Sequence, residues 1–539
     1  ELHMERKHGL HNWFILPVII YIIIYALYSA SFLTRFPFVH SDEAWLAGLS
    51  RDMQAVGSFG VTEQFFDLKP RVPHALKLLF HALQMGYIHV FGYNILSVRL
   101  LSLTSGLICL ILLYYIGKEL GGRWMGFGLM VLVSLDVPFI YASHFGRQEI
   151  ILCISLLSCI LILIRCQGCP STRQALYLAS ITGLSVGIHP NSFLCASICG
   201  SVMAACGFNM TARHWHKQIL SLAIYTAVTG ALASIFVGIS FLFDAAFIPD
   251  YFRYGEQEFE LGQTASSRLI QFLYYFKSIY AQESGTYYIP DQRLELILIP
   301  VLMVLFLLIW LFLKNVREDQ VSVWRSHTLV LLSSMTGLSL GMVIVGRYNQ
   351  TSVIFFLLLG WISMFQLMLL AGQAGRSLTI GLTFILLVLN SRVQITPFLH
   401  SPSYTHYLEQ LGQLVPKDSK VLANLNTGFY FDQGMLLDYR NLPYLEQGYS
   451  LDDYIRNNKI QYILMTDELD YIYENRPYYN VIYGNSSFIQ DLGAYCASDC
   501  ILAGTFENPL YGPRIISLIG NPQYGTVSVY KVMQDNLPS

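Results

Sequence analysis

His40-Ser41-Asp42-Glu43-Ala44-Trp45 sets two adjacent carboxylates just after a long apolar run, at the boundary between an apolar medium and water. A carboxylate held ionised there, within hydrogen-bonding reach of a hydroxyl, can take its proton as a general base. The structural alternative is a helix start, with Ser41 as N-cap and Asp42 and Glu43 placed favourably in the first turn. Further along, Phe65-Phe66-Asp67-Leu68-Lys69-Pro70-Arg71 groups two cations with an acid. Lys69 and Arg71 would offset the charge of a phosphate, with attraction to anionic lipid headgroups as the alternative. Other polar residues stand at the ends of apolar runs: Arg99, Asp136, His144 to Glu149 with Arg147, His189-Pro190 and Gly346-Arg347-Tyr348. Ionisable groups there are costly, so they pair with one another or mark a site, although Arg147 and Glu149 could also snorkel to water. Asp136 lies deeper and must find a partner.

These residues need a scaffold, and composition says what kind. Of 539 residues, 54% are hydrophobic and 13% charged, too much apolar surface for one soluble core and the balance of a lipid-solvated chain. A net charge of −2 with no Lys/Arg-rich run gives no basis for nucleic-acid binding. Met4 reads as the native start, and the first apolar run is too long for a signal-peptide core, so it is expected to stay as an anchor. Apolar segments fall at 13–33, 96–117, 124–143, 149–165, 175–189, 191–207, 218–243, 294–313, 327–346, 350–371 and 377–392, about eleven spans of roughly 20 residues. Residues 74–91 tempt a further one, but His74, Lys77, His81 and Gln84 draw a polar stripe at helical spacing, which predicts an interfacial helix.

With 74–91 left out, Arg6/Lys7, Lys118/Arg123, Arg165/Arg173, Arg213/Lys217, Lys314/Arg317/Arg325 and Arg376 all fall on one side, which the positive-inside rule makes cytoplasmic. The expectation is an all-α polytopic membrane protein with a cytoplasmic N-terminus. Residues 1–392 form its transmembrane domain, with outer loops 34–95 and 244–293, and residues 393–539 a C-terminal extracytoplasmic α/β domain. In that tail Lys420–Leu425, Ile460–Met465 and Thr526–Val532 read as strands between Asn, Asp, Gly and Pro. The 244–293 loop carries Tyr251, Tyr274, Tyr275, Tyr280, Tyr287 and Tyr288 among charged residues, suited either to a lid over a sugar ring or to an aromatic belt. Most of the ten cysteines sit in apolar spans as small hydrophobes. Cys166 and Cys169 lack the second pair a zinc site needs, and Cys496 and Cys500 leave a local disulfide and two free thiols equally open.

Taken in order, Asp42-Glu43, Asp67-x-Lys69-Pro70, Val98-Arg99-Leu100-Leu101-Ser102-Leu103, Arg147-x-Glu149, Gly187-x-His189-Pro190 and Gly346-Arg347-Tyr348 resemble the GT-C glycosyltransferases of the protein-mannosyltransferase and aminoarabinose-transferase type. The resemblance covers most of residues 13–392. It implies inverting transfer of a sugar from a polyprenyl-phosphate donor to an acceptor hydroxyl outside the plasma (inner) membrane. It makes Asp42 the catalytic base and Glu43 its support. Lys69, Arg71, Arg99, Arg147 and Arg347 become the cations around the donor phosphate, and Asp67, Glu149, His189 and Tyr348 candidates for sugar or acceptor contacts. Asp67-Leu68-Lys69-Pro70-Arg71 is neither the Glu-Lys-Pro-Pro of aminoarabinose transferases nor the His-Pro-Pro of protein mannosyltransferases, so the acceptor stays open among protein, lipid and polysaccharide. The 244–293 loop is too short for the β-trefoil of eukaryotic protein mannosyltransferases, which points to a bacterial or archaeal relative. No cofactor is required; some family members hold zinc near the Asp67-like position, but no ligand spacing here demands a divalent metal.

Three rival classes fit less well. A transporter would show duplicated halves and ionisable groups at mid-membrane; the sequence shows no clear duplication and few such groups, and its large outer loop and tail are not needed for transport. A phosphoethanolamine transferase would need a metal-ligand cluster in the tail, which has only His400 and His406. A non-catalytic scaffold would be indifferent to the loss of Asp42.

Overall fold

The computed structural model describes residues 15–208, 215–259, 265–281, 290–313, 318–346, 348–446, 448–467, 469, 471, 487–512 and 523–533. Among the described residues all eleven apolar segments are largely helical: α1 (Ile15–Phe32) is followed by a region with α2 (Ser41–Val56) and α3 (Leu78–Phe91). The bundle continues with α4 (Ile95–Gly121), α5 (Arg123–Leu135), α6 (Val137–His144), α7 (Glu149–Arg165), α8 (Thr172–Ser185), α9 (Phe193–Phe208) and α10 (Trp215–Phe241). After α11 (Phe247–Phe259) and α12 (Ala265–Tyr280) it closes with α13 (Arg293–Leu313), α14 (Glu318–Val345), α15 (Gln350–Met368) and α16 (Gln373–His400). The expected outer loop 244–293 is thus largely two helices, α11 and α12.

Seven of these helices, among the described residues, are long and apolar enough to cross a membrane, or eight if the bent α5–α6 pair is one span. The chain is an integral membrane protein. Of the expected eleven, α7 has 17 residues and α8 only 14, α5 and α6 meet at 71°, and α13 is also outside the seven. Pro138, in the first turn of α6, has no N–H to carry the helix on from Ser134, and Asp136 between the two helices is extended at φ −69°, ψ 119°. Asp136 stands beside a second acid there, Glu295 of α13, with its Oδ1 buried and without a hydrogen-bond partner among the described residues; Glu295 Oε1 accepts from Asn390 Nδ2 at 3.2 Å. α4 and α5 approach closely through Gly117 and Gly126; a Cβ on Gly126 would lie 2.3 Å from the Tyr114 carbonyl. The bundle core includes Leu113, Leu129, Leu156, Phe355 and Trp361.

The polar stripe of residues 74–91 is real but faces inward. In α3, Gln84 Oε1 accepts from Ser50 Oγ of α2 at 2.6 Å, and His81 Nδ1 lies 2.8 Å from the same hydroxyl. Burial, with His74 and Lys77 nearby, pushes the His81 pKa down, so the ring is neutral. Leu83, Val90 and Phe91 occupy the exposed face of α3, the face an interfacial helix turns to lipid.

Past α16 the chain forms an α/β unit. The helix runs eight residues beyond the expected boundary at 392, to His400. After α17 (Tyr404–Gly412) come β1 (Val421–Ala423), β2 (Leu436–Asp438), a 3-10 helix at Tyr439–Tyr444, α18 (Leu451–Asn457), β3 (Tyr462–Thr466), α19 (Ser487–Asp499), β4 (Cys500–Glu507) and β5 (Thr526–Val532). The sheet order is β2-β1-β3-β5-β4, with β1 parallel to β2 and β3, and β5 antiparallel to β3 and β4. The three expected strand segments supply β1, β3 and β5. Cys496 and Cys500 face each other where α19 passes into β4, as free thiols. This unit packs on the region between α1 and α4: Tyr511 stacks on Phe38 with centroids 4.6 Å apart, and the Asp438 N–H donates to the Phe65 carbonyl at 3.0 Å.

Candidate functional site

The N-terminus of α2 fixes the first two acids. His40, extended at φ −98°, ψ 153°, is the N-cap: its Nδ1 accepts the Asp42 N–H at 3.0 Å, and its own N–H donates back to Glu43 Oε2 at 3.1 Å. The cap is therefore His40 rather than the expected Ser41, and it is a reciprocal one. Both carboxylates lie in the first turn, at the positive end of the helix.

Glu43 is fully buried. Arg99 of α4 grips it with a fork, Nε to Oε1 and Nη2 to Oε2, both 2.8 Å, and the Gly146 N–H adds a third donor at 2.7 Å. Arg99, equally buried, donates through Nη1 to the Leu33 and Pro37 carbonyls at 2.9 Å each. Four of its five N–H groups are thus engaged inside this clamp. A Cβ on Gly146 would sit 3.1 Å from Glu43 Oε1 and 3.0 Å from Val98 Cγ2, so any side chain there would press on both. A buried pair persists only when its remaining donors and acceptors are satisfied, and here four of the five guanidinium donors and both carboxylate oxygens are engaged. In this geometry Arg99 meets Glu43 and the backbone leading into α2, rather than an incoming phosphate.

Asp42, next on the helix, faces the open side. Its carboxylate is 22% exposed and accepts from Arg147 Nη1 at 2.6 Å. Arg147, 20% exposed, bridges through Nη2 to Glu149 Oε1 at 2.9 Å, while His40 Nδ1 lies 3.6 Å from Asp42 Oδ1. Burial pushes the Asp42 pKa up; Arg147 and then His40, Arg440 and Lys77 outweigh it, and the net shift is downward. Asp42 is an ionised carboxylate with one edge toward solvent.

The 63–71 segment is braced from two sides. Glu63 Oε1 accepts from Trp45 Nε1 at 3.0 Å and meets His74 Nε2 at 2.5 Å, while Arg71 Nη1 donates to the Glu63 carbonyl at 2.9 Å. The other brace comes from the C-terminal unit. Asn441 Oδ1 accepts the N–H groups of Asp67 at 3.1 Å and of Leu68 and Lys69 at 3.3 Å, its Nδ2 donates to the Phe65 carbonyl at 2.9 Å, and Tyr454 Oη donates to Asp67 Oδ1 at 2.8 Å. The Lys69 side chain is buried, with Nζ 5.2 Å from the Phe66 ring centroid. Arg440 lies over Trp45 and Phe66, 5.0 and 4.9 Å from their centroids, held by Asp438 through Nε–Oδ1 (2.7 Å) and Nη2–Oδ2 (3.1 Å).

Behind Glu149, Tyr141, Phe145, Tyr275 and Gln292 help line a cavity with about 480 Å³ of empty space, open solvent at its mouth included. Glu149 Oε2 and Gln292 Oε1 are buried there without hydrogen-bond partners among the described residues. Tyr348 stacks on Tyr275 with centroids 5.4 Å apart, and its hydroxyl meets the Arg268 carbonyl. His189 Nδ1 accepts the Asn191 N–H at 3.0 Å, and Asn191 Nδ2 in turn donates to Thr351 Oγ1 at 3.0 Å, a local cap at the start of α9. Arg347 lies outside the described residues.

Asp42, Glu43, Arg99, Arg147 and Glu149 therefore converge, with Asp67, Lys69 and Arg71 on the adjoining braced segment. The sequence reading missed Glu63 and His74 as a buried pair, and Arg440, Asn441 and Tyr454, which arrive from the C-terminal unit with no local pattern to announce them. Among the described residues no group of three or more His, Cys, Asp or Glu could hold a metal ion.

No protein-family model matches the chain, and no curated protein sequence does. Solved structures do. ArnT from Cupriavidus metallidurans in the apo state aligns with a TM-score of 0.56 over 98% of this chain and 100% of its own, at 11% identity. The same protein bound to undecaprenyl phosphate aligns at 0.54 over 97% and 99%, at 12% identity. The Archaeoglobus fulgidus oligosaccharyltransferase, in complex with Zn and sulfate, aligns at 0.50 over 96% of this chain and 73% of its own, at 11% identity. The chain has their fold, a helical GT-C membrane architecture ending in a C-terminal α/β unit.

Proposed function

We propose that the protein is an inverting glycosyltransferase that moves a sugar from a polyprenyl-phosphate donor to an acceptor hydroxyl. The observation that carries this reading is the pair of ion pairs at the start of α2: a fully buried Glu43–Arg99 clamp beside a partly exposed, ionised Asp42 that pairs with Arg147. Asp42 is the base. It takes the acceptor hydroxyl's proton as the oxygen attacks the anomeric carbon, and the bond from that carbon to the phosphate oxygen breaks on the opposite face. Glu43 and Arg99 are positioning residues. A phosphate leaving group departs as an anion, so it needs cations more than it needs an acid, and Lys69, Arg71, Arg147 and Arg347 are the proposed set. Asp67 and Tyr348 stay candidates near the sugar or acceptor, and His189 a more distant one.

The fold shared with ArnT, which has been solved with undecaprenyl phosphate, supports a lipid-phosphate donor. Glu149 and Gln292, with acceptor atoms facing an aromatic-walled cavity, suit the hydroxyls of a sugar. The distribution of short basic loops supports a plasma-membrane protein with its N-terminus in the cytoplasm and with the site and C-terminal unit, residues 393–539 at the expected boundary, on the outer side.

The test is to incubate purified protein with a panel of polyprenyl-phosphate sugars and follow release of polyprenyl phosphate in wild type, Asp42→Asn and Lys69→Ala. Release by wild type that both variants lose is the expected result. A wild type that neither releases nor binds any donor would return the protein to the transporter or scaffold classes.

A further inference from the structure

We propose that the C-terminal unit completes the donor site, with Arg440 as a binding residue for the phosphate head of the polyprenyl-phosphate donor. This rests on the glycosyltransferase reading and deepens it.

Two cations from different parts of the chain converge on one aromatic ring. Lys69 Nζ from the 63–71 segment lies 5.2 Å, and Arg440 from the C-terminal unit 4.9 Å, from the Phe66 centroid. Both side chains are largely buried, and Asp438 grips Arg440 through a fork. That fork also holds the guanidinium beside the Trp45 and Phe66 rings, and an immobilised guanidinium is pre-organised for a phosphate. Arg440 stands close enough to Asp42 for its charge to lower the carboxyl's pKa, ranking after Arg147 and His40.

The anchoring around it is built rather than incidental. Asn441, the next residue, accepts three consecutive N–H groups from Asp67 to Lys69, and the Asp438 N–H meets the Phe65 carbonyl. The stretch from Asp438 to Asn441 therefore holds the Lys69 segment from one side and offers a second cation from the same turn. A unit that served only to recognise acceptors would not need to set an arginine there.

The experiment uses the full-length protein in lipid nanodiscs. Binding of undecaprenyl phosphate is measured for wild type, Arg440→Gln, Arg440→Lys and Lys69→Ala, with the pH profile of polyprenyl-phosphate release followed in parallel. Loss of a charged hydrogen-bonding partner should weaken binding by about tenfold or more in Arg440→Gln, and Arg440→Lys, which keeps the charge but not the fork, should lose several-fold. The acid limb should move to higher pH in Arg440→Gln, because removing its cation lets the Asp42 pKa rise, and should stay near wild type in Arg440→Lys. A merely structural role would not separate the two variants in this way. If Arg440→Gln does not fold, Arg440→Lys decides: a several-fold loss supports the proposal, and wild-type binding overturns it. If Lys69→Ala weakens binding while both Arg440 variants match wild type, the inference falls and the glycosyltransferase reading stands. If wild type binds no undecaprenyl phosphate and releases none from any donor, both fall.

Discussion

Arg147 Nη1 stands 2.6 Å from Asp42 Oδ2, with both side chains about one-fifth exposed, so the ion pair can be reached from outside yet is held from within. The pairing keeps Asp42 ionised and costs it some basicity. Its folded pKa lies below the ordinary carboxylate value, so the active, charged form is present above that depressed pKa and is lost as pH falls through it. Asp42→Asn should abolish transfer, a loss of about a hundredfold or more, with a melting midpoint close to wild type. Arg147→Gln removes the largest cationic influence on Asp42, and its acid limb should move to higher pH. An unmoved limb in Arg147→Gln would show that Asp42 is not the titrating base.

Glu43 and Arg99 call for the opposite signature. Both are fully buried and answer each other with two 2.8 Å hydrogen bonds, so removing one leaves a buried charge without its partner. Glu43→Gln or Arg99→Met should destabilise the protein by roughly 3–5 kcal/mol, and the double variant Glu43→Met/Arg99→Met by less than the two single losses added. Thermal unfolding in the membrane mimetic reads this. A single variant that melts like wild type would remove the clamp from the account of how Asp42 is positioned.

Much of this was legible in the sequence because it is periodic or out of place. An arginine at position 99 at the head of an apolar run announces a partner by its cost alone, and Asp42-Glu43 after a span announces a site. Asp136 declared its need without naming Glu295, which lies far along the chain. The polar stripe from His74 to Gln84 was visible, but a stripe reads the same whether it faces water or a second helix, and here it faces Ser50. His40 as cap was hidden by the better reputation of Ser41 in that role. Arg440 and Asn441 were illegible for a different reason. They reach the 63–71 segment across more than 370 residues of chain, and no local spacing encodes such a contact.

Asp52 ties α2 to the C-terminal unit and makes that tie pH-sensitive. Gln433 Nε2 donates to Asp52 Oδ1 at 2.9 Å, and burial raises the carboxyl's pKa to about 6, against the lowering by Arg51 and Gln433. A carboxyl with a raised folded pKa favours the folded state fully below its unfolded value, and that contribution is lost as pH rises through about 6. The melting midpoint of wild type should therefore gain from mild acid in this region, while Asp52→Asn, neutral throughout, should flatten that part of the profile. An unchanged profile in the variant would place the pH dependence elsewhere.

Asn441 gives the sharpest test of whether the C-terminal unit shapes the site or only caps it. Its carboxamide oxygen takes the N–H groups of Asp67, Leu68 and Lys69, and its amide nitrogen returns one bond to the Phe65 carbonyl. Asn441→Ala would leave the Asp67 and Lys69 N–H groups competing for other acceptors, while the Leu68 N–H keeps Asp67 Oδ1 at 3.0 Å, at a cost of about 1–3 kcal/mol in stability if the two stay buried. The functional loss should be larger than that, because a segment freed at Asp67 to Lys69 no longer presents Lys69 in one place, and a misplacement of about 1 Å can cost on the order of a hundredfold in rate. Asn441→Asp offers the oxygen acceptors again while losing the donor to Phe65, so it should recover part of the activity lost in Asn441→Ala. Transfer rates are to be compared at a temperature where both variants are fully folded. Recovery in Asn441→Asp would show that the backbone of the Lys69 segment is what the C-terminal unit holds, whereas equal activity in wild type and Asn441→Ala would show that the segment keeps its shape without it.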